Sequence, residues 1–467
     1  MKFNGILSDE MHLYSETAAG KVVVSFAYVD KALDFLRSIG MKPFIQLGFM
    51  PNALSCENVH RFQYSLSAPS SYPKWCSMID QLIAHLLQRY GQAEIRSWLF
   101  CLWDQPDLAQ EGSIFSDPAT FYGFYRQTRD VVKMRDPKIP FGAPATFYLP
   151  QEDSWYLCFL SWCEKHNCLP DFLNFHYYDL VNNSVDTAQQ TFGFWEAMTL
   201  RDTPDGFPKF AAQVLGDRRK LHLENLPIYL TEWNNPPSQQ DLLNDTCFKS
   251  CYIVKCILES YDKLDSFAYW SLTDWMGEGP QPEQQFFGGL GLFTADGIPK
   301  AGYYAFTLLR QLGDSFLGKG EGWFATLQGD SYRILLYNYR HFAHLYALGE
   351  RFDMTFTDRY TPFSPEQMLD VSLNLDGLPN GEYLASEKIV SRRSGSAFDQ
   401  WVAMGALELS TQEEKETLAC RSVPAINRYK ASVSDGRMSV EALLDMLEVR
   451  LITVEPISSI HTESLPF

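Results

Sequence analysis

The sequence predicts an α/β fold of the barrel type, followed by a part built mainly of β-strands. Up to about Asp314, short apolar strands alternate with amphipathic helices, which is the pattern of parallel βα units. After Asp314 the pattern changes to alternating strands with turn signals such as Pro379-Asn380-Gly381. The length of 467 residues agrees with this division, because a barrel of ~250 residues or more leaves room for a smaller domain. We therefore predict a barrel over residues 1–313 and a β-sandwich accessory domain over residues 314–467.

The elements are predicted from apolar spacing and from residues that cap helices. One helix is expected from Tyr28 to Ile39 with Gly40 as its stop, another from Lys74 to Tyr90, and Asp117-Pro118 marks the start of a third. The face of the first helix expected to be buried consists of Val29, Leu33, Leu36 and Ile39. The strands expected in the first part are Pro43 to Leu47, Trp98 to Trp103, Ile139 to Ala143, Asp171 to Phe175, Ile228 to Leu230 and Phe267 to Trp270. Those expected in the second part include Tyr332 to Tyr339, Val371 to Leu375 and Val449 to Val454.

Composition and charge exclude several classes of function. The formal net charge of −18 argues against nucleic acid or an anionic membrane surface as the main partner, because both require a basic face. No apolar run approaches the roughly 18 residues of a membrane-spanning helix, and Met1-Lys2-Phe3-Asn4-Gly5 is not a signal peptide. We therefore expect a cytoplasmic protein that inserts in no membrane and binds a small neutral ligand.

The ten cysteines and nine histidines show neither a disulfide framework nor the spacing of a metal site. We therefore expect no metal or other cofactor. Six cysteines at near-helical spacing in apolar stretches are expected to be reduced thiols packed in the core: Cys158, Cys163, Cys168, Cys247, Cys251 and Cys256.

Polar side chains follow the predicted strands at the points where the strands end. In a barrel, these strand ends lie on one face and carry the functional side chains. Glu232, which follows Ile228-Tyr229-Leu230-Thr231, is the strongest candidate, because burying a carboxylate without a partner costs several kcal/mol. The alternative is that these residues only pack the mouth of the barrel or form structural ion pairs. The candidates are Asp104 and Gln105, His176 and Tyr178, Glu232 and Trp233, and Trp270 with Asp274 and Glu278.

Several long strings of residues together resemble one enzyme family. They are FNGILSDEM, MKPFIQLGFMP, LFCLWDQPDL, FHYYD, IYLTEWN and AYWSLTDWMGEG, followed by FFGGLGLFTADGIPKAGYYAF and, near Trp401, by SGSAFDQW. In this order they resemble glycoside hydrolase family 39, the β-xylosidase family, over nearly the whole chain. The resemblance implies a (β/α)8 TIM barrel, a retaining glycosidase mechanism, and a small carbohydrate, such as a xyloside or xylo-oligosaccharide, as the ligand.

The resemblance also implies roles for individual residues. Glu232 matches the nucleophile at the end of the seventh barrel strand, which attacks the anomeric carbon while a second carboxyl group protonates the leaving oxygen. His176 and Tyr178 match a His-x-Tyr motif that orients the nucleophile or the sugar hydroxyls. Trp270 matches a ring that lies under the sugar, and Glu278 matches a carboxylate that binds hydroxyl groups.

This sequence departs from the family pattern at three positions. The family motif W-N-E-P-N is Trp103-Asp104-Gln105-Pro106-Asp107 here, so Gln105 holds the acid/base position and Asp104 replaces the asparagine that binds the sugar 2-hydroxyl. Asn4 stands where the family has histidine in R-F-H-G. An amide neither gives a proton to the leaving oxygen nor deprotonates the attacking water, so each step loses ~10² to 10⁴-fold. We expect a pocket that binds a pentose and hydrolyses its glycosides weakly.

Three alternatives stay open at this point. The first is that Asp104 acts as a substitute acid, although the alternation of side chains along a strand argues against it. The second is that the substrate carries a leaving group that needs no protonation, as in thioglycosidases. The third is that the chain is a non-catalytic sugar-sensing domain, as found behind AraC-type DNA-binding regions. The exact sugar, xyloside or iduronide, and a homo-oligomeric state are equally open.

The resemblance further implies a barrel that is incomplete at its N-terminal end. Phe3-Asn4-Gly5 matches the end of the family's second barrel strand. The first strand and its helix, ~40 to 55 residues by the size of a βα unit, are therefore expected to be missing. Seven strands do not close an eight-stranded barrel comfortably.

Overall fold

A computed structural model describes residues 1–57, 60–61, 64–107, 117–147, 154–181, 199–276, 284–351 and 354–457. Its first part alternates short strands with helices. The strands are β1 (Lys2–Phe3), β2 (Tyr14–Glu16), β3 (Val22–Val24), β4 (Phe44–Leu47), β5 (His60–Arg61), β6 (Tyr64–Ser65), β7 (Leu99–Leu102), β8 (Phe141–Gly142), β9 (Thr146–Phe147), β10 (Leu173–Tyr178), β11 (Ile228–Asn234) and β12 (Ser266–Phe267). The helices are α1 (Ala27–Ser38), α2 (Tyr72–Tyr90), α3 (Gln92–Ile95), α4 (Pro118–Arg135), α5 (Trp155–Lys165), α6 (Gly206–Lys220), α7 (Phe248–Ser260) and α8 (Ala301–Leu309).

Two four-stranded parallel sheets form the centre of this part. One has the strand order β1-β4-β7-β8 and the other the order β9-β10-β11-β12. Between β8 and β9, Ala145 forms a parallel bridge with Asp104, so the first sheet leads directly into the second. The predicted parallel βα units are thus confirmed.

The outer edges of β1 and β12 face a large cavity. Within the described residues, no strand pairs with either of these two edges. The cavity has a volume of about 720 Å³. Its lining comes from the β1 side and the β12 side alike, and includes Met1, Lys2, Asn4 and Met41 as well as Phe267, Tyr269, Trp270 and Phe306.

The helices begin and end largely where their capping residues predict. The Asp117 carboxylate accepts hydrogen bonds from the backbone N–H groups of Ala119 and Thr120, at 3.2 and 3.1 Å, and Pro118 occupies the first turn of α4. Gly40, with φ of +74°, adopts the left-handed conformation that a glycine tolerates after a helix. The prediction for Ile39 is wrong: α1 ends at Ser38, and the Ile39 side chain is 51% exposed.

Within its described residues, the second part consists of antiparallel strands with three short α-helices. The strands are β13 (Ser315–Gly320), β14 (Trp323–Gln328), β15 (Ser331–Tyr337), β16 (Leu369–Asp376), β17 (Gly381–Val390), β18 (Ala425–Val433), β19 (Arg437–Leu444) and β20 (Val449–Pro456). The helices are α9 (His344–Ala347), α10 (Ala397–Ala403) and α11 (Gln412–Arg421). A six-stranded sheet, β13-β14-β15-β20-β17-β18, and the β16-β19 pair share one apolar cluster that includes Ile334, Ile452 and Val440. The predicted change to a β-rich second part is confirmed.

The second part packs on the first through α7 and α8. The opposite face of the six-stranded sheet contributes Leu335, Tyr337 and Leu451 to the same apolar core that contains α7 and α8. Cys247, Cys251 and Cys256 of this region are buried, as predicted, and so are Cys163 and Cys168. Cys158 is exposed, so the prediction of a packed thiol is wrong there. Of the helices in the described part of the chain, none is long and apolar enough to cross a membrane.

A buried ion network also joins the two parts. Lys300, at the start of α8, places Nζ 2.6 Å from Asp245 Oδ1 and 2.8 Å from Asp274 Oδ2, and Arg359 of the second part lies 2.7 Å from Asp245 Oδ2. Burial raises the pKa of Asp274 to about 6 although Lys300 opposes this shift. Burial acts on Asp245 too, but Lys300 and Arg359 outweigh it and lower the pKa of that carboxyl group.

Candidate active site

A β-bulge places His176 directly opposite Glu232. Strands β10 and β11 pair Phe175 with Leu230 and then His176 with Glu232, so Thr231 is the extra residue on β11. A bulge of this kind redirects the side chains that follow it. His176 is wholly buried and Glu232 is 6% exposed. Trp233, the next residue, packs instead among Phe207, Tyr252 and Tyr269 and is therefore not part of the site.

The carboxylate of Glu232 has donors and a positive charge around it. The Tyr178 hydroxyl group donates a short hydrogen bond to Oε1, and His176 Nδ1 lies 3.5 Å from Oε2. Lys2 Nζ lies 3.9 Å from the same oxygen. Donors and a nearby cation favour the charged form of a carboxyl group, so Glu232 is arranged as an anion.

Lys2 is a site residue that the sequence analysis missed. Its Nζ lies 2.7 Å from His176 Nε2 and 3.0 Å from Asp104 Oδ1, and its side chain is only 6% exposed. Burial lowers the pKa of Lys2, but Asp104 and Glu232 together outweigh this effect and the net direction is upward. One feature of the sequence could have identified Lys2 as a site residue. It lies in an otherwise apolar segment, two residues before the candidate Asn4, and side chains two residues apart in a strand point to the same face.

Asp104 and Gln105 both reach His176, on its two different nitrogen atoms. The Gln105 amide lies 2.9 Å from Nδ1, and Asp104 Oδ1 lies 3.6 Å from Nε2. Alternation along a strand predicts opposite faces for these neighbours, and this expectation is wrong. Trp103 and Gln105 have φ angles of +63° and +46°. These angles interrupt the strand after Leu102 and turn the side chains of Asp104 and Gln105 toward His176. Left-handed backbone at non-glycine residues costs about 1–3 kcal/mol each and is concentrated at functional sites.

Asp104, His176 and Glu232 have the composition of a metal site. One ligand atom from each lies within 4.8 Å of the others, a grouping that spacing in the sequence did not indicate. Lys2 Nζ, however, lies 3.0, 2.7 and 3.9 Å from the three groups. The ammonium group thus takes the place that a cation would need, and these residues do not fit a metal ion while Lys2 is present.

The remaining candidates divide into those near the cavity and those elsewhere. Asn4 and Trp270 line the cavity, although Trp270 lies beyond β12, which ends at Phe267. The side-chain oxygen of Asn4 is buried and has no hydrogen-bond partner within the described residues, so it is able to accept a hydrogen bond from a ligand hydroxyl group. Asp274 belongs to the buried ion network and not to the rim, which corrects the expectation of a rim carboxylate. Glu278 lies outside the described residues.

Comparison with known proteins identifies the family of the chain. The sequence profile of the glycosyl hydrolases family 39 matches residues 1–439. A β-xylosidase of Caldicellulosiruptor saccharolyticus is 30% identical over 443 residues, 93% of this chain and 83% of the relative. A β-xylosidase of Geobacillus stearothermophilus is 27% identical over 460 residues, 97% of this chain and 86% of the relative.

The fold comparison extends over both parts of the chain. The crystal structure of a monomeric β-xylosidase from Caulobacter crescentus superimposes with a TM-score of 0.82 at 26% identity, covering 98% of this chain and 89% of that one. An HTH-type transcriptional regulator of Staphylococcus aureus is 21% identical over 214 residues, only 46% of this chain and 27% of the regulator. Because the family profile spans most of the chain, the protein belongs to the glycosyl hydrolases family 39.

Proposed function

We propose that the protein binds β-xylosides in a retaining-type site in which Glu232 is the nucleophile and Gln105 stands at the acid/base position, so that hydrolysis is weak. The observation that carries this proposal is the shared contact of both residues with His176: the Gln105 amide at 2.9 Å from Nδ1 and Glu232 Oε2 at 3.5 Å from the same nitrogen. Both relatives named above are β-xylosidases, which supports xylose as the sugar.

Glu232 has the surroundings that a nucleophile requires. A carboxylate attacks only in its charged form, and Tyr178 and Lys2 stabilise that form. Attack on the anomeric carbon forms a bond from a Glu232 oxygen to that carbon, while the bond to the leaving oxygen breaks and its electron pair stays on that oxygen. The leaving oxygen then needs a proton unless it is stable as an anion.

No transferable proton is available from Gln105, because a carboxamide is not an acid near neutral pH. Asp104 is the nearest carboxyl group in sequence, but Lys2 Nζ lies 3.0 Å from its Oδ1. This ion pair favours the charged form of Asp104, which has no proton to give. Ordinary xylosides are therefore expected to turn over slowly, whereas glycosides with acidic leaving groups bypass the first of the two impaired steps.

Covalent labelling tests this proposal. A 2-deoxy-2-fluoro-β-xyloside with a dinitrophenolate leaving group needs no acid, so we expect one sugar per protein to accumulate on Glu232. The glycosyl-enzyme is expected to persist, because the 2-fluoro group slows its hydrolysis and Gln105 does not activate the water that would release it. Mass spectrometry of the intact protein and of its peptides measures both the stoichiometry and the position.

The matched control is Glu232→Gln, which keeps the shape of the side chain and removes the nucleophilic charge. It is expected to take up no label under the same conditions. Labelling of any other residue, or equal labelling of the variant, would refute the assignment of Glu232.

A second candidate function is sugar binding without turnover, as in a regulatory domain. Two observations favour it: the amide at position 105 and the partial similarity to a transcriptional regulator. The net charge of −18 argues against DNA binding by this chain itself. Calorimetry with xylose separates the candidates, because tight binding of the free sugar without release of product from any xyloside indicates sensing.

We also propose that the eight parallel strands form seven positions of a (β/α)8 barrel, with β8 and β9 together in one position and one position open between β1 and β12. The outer edges of β1 and β12, with which no strand of the described residues pairs, and the cavity of about 720 Å³ between them support this reading. So do three exposed apolar residues of α1 and its end, Tyr28, Phe35 and Ile39, since a neighbouring helix would cover such a face. We place the boundary to the β-sandwich domain between α8 and β13, at residues 313 and 314.

A further inference from the structure

His176 has a nitrogen neighbour at each of its two ring nitrogens. Lys2 Nζ lies 2.7 Å from Nε2, and the amide nitrogen of Gln105 lies 2.9 Å from Nδ1. A neutral imidazole carries one N–H donor and one acceptor nitrogen. The Lys2 and Gln105 donors therefore cannot both find an acceptor on a neutral ring. The nitrogen that carries the ring proton decides which of the two contacts must be reoriented.

The contact with Lys2 is the fixed one. An ammonium group has only donors and no acceptor, so Nε2 must accept and cannot carry a proton. The charge of Lys2 is maintained by Asp104 at 3.0 Å and Glu232 at 3.9 Å. A doubly protonated ring would place a second positive charge 2.7 Å from Lys2 Nζ, in a pocket where His176 is wholly buried. The single ring proton therefore belongs on Nδ1.

With its proton on Nδ1, which also lies 3.5 Å from Glu232 Oε2, the ring has no lone pair left there for the Gln105 NH2 group, so an acceptor atom of Gln105 is favoured at that position. The two ends of a carboxamide have nearly the same shape, and a half-turn of the group exchanges them. The Gln105 carbonyl oxygen thus faces Nδ1–H, at the position of the nitrogen 2.9 Å away. The NH2 group then lies on the side of the amide that points away from the ring.

We propose that Lys2 is a positioning residue that holds His176 in its Nδ1–H form and thereby turns the Gln105 carboxamide so that its NH2 group donates to the glycosidic oxygen. This inference rests on the proposed function, because it takes Gln105 to lie beside the leaving group. It assigns the glutamine a binding role: a hydrogen bond to the glycosidic oxygen without proton transfer. Without Lys2, Nε2 no longer faces an ammonium group and can carry the ring proton toward Asp104 Oδ1 at 3.6 Å, in competition with Nδ1, which lies 3.5 Å from Glu232 Oε2. In the Nε2–H form, Gln105 turns its NH2 group to Nδ1 and its carbonyl group toward the sugar.

Histidine-selective ¹⁵N NMR of the ligand-free protein tests the proton position directly. The variants are Lys2→Met, Lys2→Arg and, for assignment, His176→Asn. We expect the Nδ1–H pattern in the native protein and in Lys2→Arg, and an Nε2–H pattern, alone or mixed with Nδ1–H, in Lys2→Met. The control is Lys42→Met, since Lys42 also bonds a carboxylate, Glu94, at 3.3 Å but is 58% exposed. It is expected to leave the His176 signals unchanged. An Nε2–H pattern in the native protein, or a ring in Lys2→Met that fully keeps its Nδ1 proton, whether singly or doubly protonated, would overturn the inference.

Calorimetry with two ligands tests the consequence for binding. Methyl β-xyloside has the glycosidic oxygen and 1,5-anhydroxylitol lacks it. Lys2→Met is expected to weaken binding of the xyloside ~10-fold, because the Gln105 carbonyl oxygen then faces the glycosidic oxygen and the hydrogen bond between the amide and the sugar is lost. Binding of the anhydroxylitol is expected to change far less. Equal losses for both ligands contradict the role assigned to Gln105. If the native protein binds neither sugar, the proposed function fails, while the NMR result still decides whether Lys2 sets the ring proton.

Discussion

Gln105→Glu is expected to raise hydrolysis of an unactivated substrate such as xylobiose by ~10² to 10⁴-fold, the contribution of one general acid/base group. The variant supplies a transferable proton beside His176 while changing one side-chain atom. Steady-state kinetics with xylobiose and with a dinitrophenyl β-xyloside measures the effect. The gain should be larger for xylobiose, because only its leaving group needs the proton.

The pH profile of this variant gives a second result. A glutamate at position 105 accepts a hydrogen bond from His176 Nδ1–H, and such a donor favours the charged form of a carboxyl group. The protonated form needed for the first step is then populated mainly at acidic pH, so the rate for xylobiose should rise as the pH falls below neutrality. Gln105→Ala serves as the control and should show no gain, but added azide should accelerate its turnover of the dinitrophenyl glycoside. Rapid hydrolysis of xylobiose by the native protein would contradict the impaired-acid proposal.

Lys300→Met is expected to lower the free energy of unfolding by about 3–5 kcal/mol, because it leaves two buried carboxyl groups without their shared cation. Lys300 Nζ contacts Asp245 at 2.6 Å and Asp274 at 2.8 Å, and all three side chains are at most 2% exposed. For a chain of this size the midpoint of thermal unfolding should fall by about 3–5 °C. Circular dichroism or calorimetry measures this change.

The loss should depend on pH in a defined direction. Asp274 has a folded-state pKa of about 6 against an ordinary value of 3.8. Asp274 therefore binds a proton more tightly in the folded protein than in the unfolded chain, so its protonation stabilises the fold. This contribution to the free energy of unfolding is complete below pH 3.8 and is lost as the pH rises through about 6. The difference between Lys300→Met and the native protein should narrow when the pH is lowered from about 7 to about 5, since the unpaired Asp274 then becomes neutral. Lys415→Met removes a partly exposed pair with Asp296 at 2.9 Å and should cost less than about 1 kcal/mol. A loss for Lys300→Met no larger than this control would refute the role of the network.

The parts of the site that could be predicted are those encoded by neighbours along one strand. Glu232 follows a run of mainly apolar residues in β11, and parallel strands bring their C-terminal ends together, so its proximity to His176 could be predicted from the sequence. The bulge at Thr231 that sets these two residues opposite each other was not, because it depends on pairing between distant strands.

What the sequence could not indicate depends on backbone conformation and on burial. Alternation predicted opposite directions for Asp104 and Gln105, but the positive φ angles of Trp103 and Gln105 turn both toward His176. Asp274 looked like a rim carboxylate, yet its partner Lys300 is distant in sequence and holds it in the core. The role of Lys2 was hidden for the same reason, since all its partners lie more than a hundred residues away along the chain.

Arg359 has a consequence for how freely the two parts of the chain can be separated or exchanged. Its guanidinium group binds Asp245 at 2.7 Å and the carbonyl groups of Phe286 and Leu242 at 2.7 and 3.2 Å, all in the first part. A shortened gene product ending at residue 313 would leave this carboxylate with a single cation and would remove one donor from each of the two carbonyl groups. The β-rich part therefore supplies hydrogen-bond donors and a positive charge that the first part needs in its core. A chimera with a relative would fold stably only if the grafted segment brought an arginine to the same place.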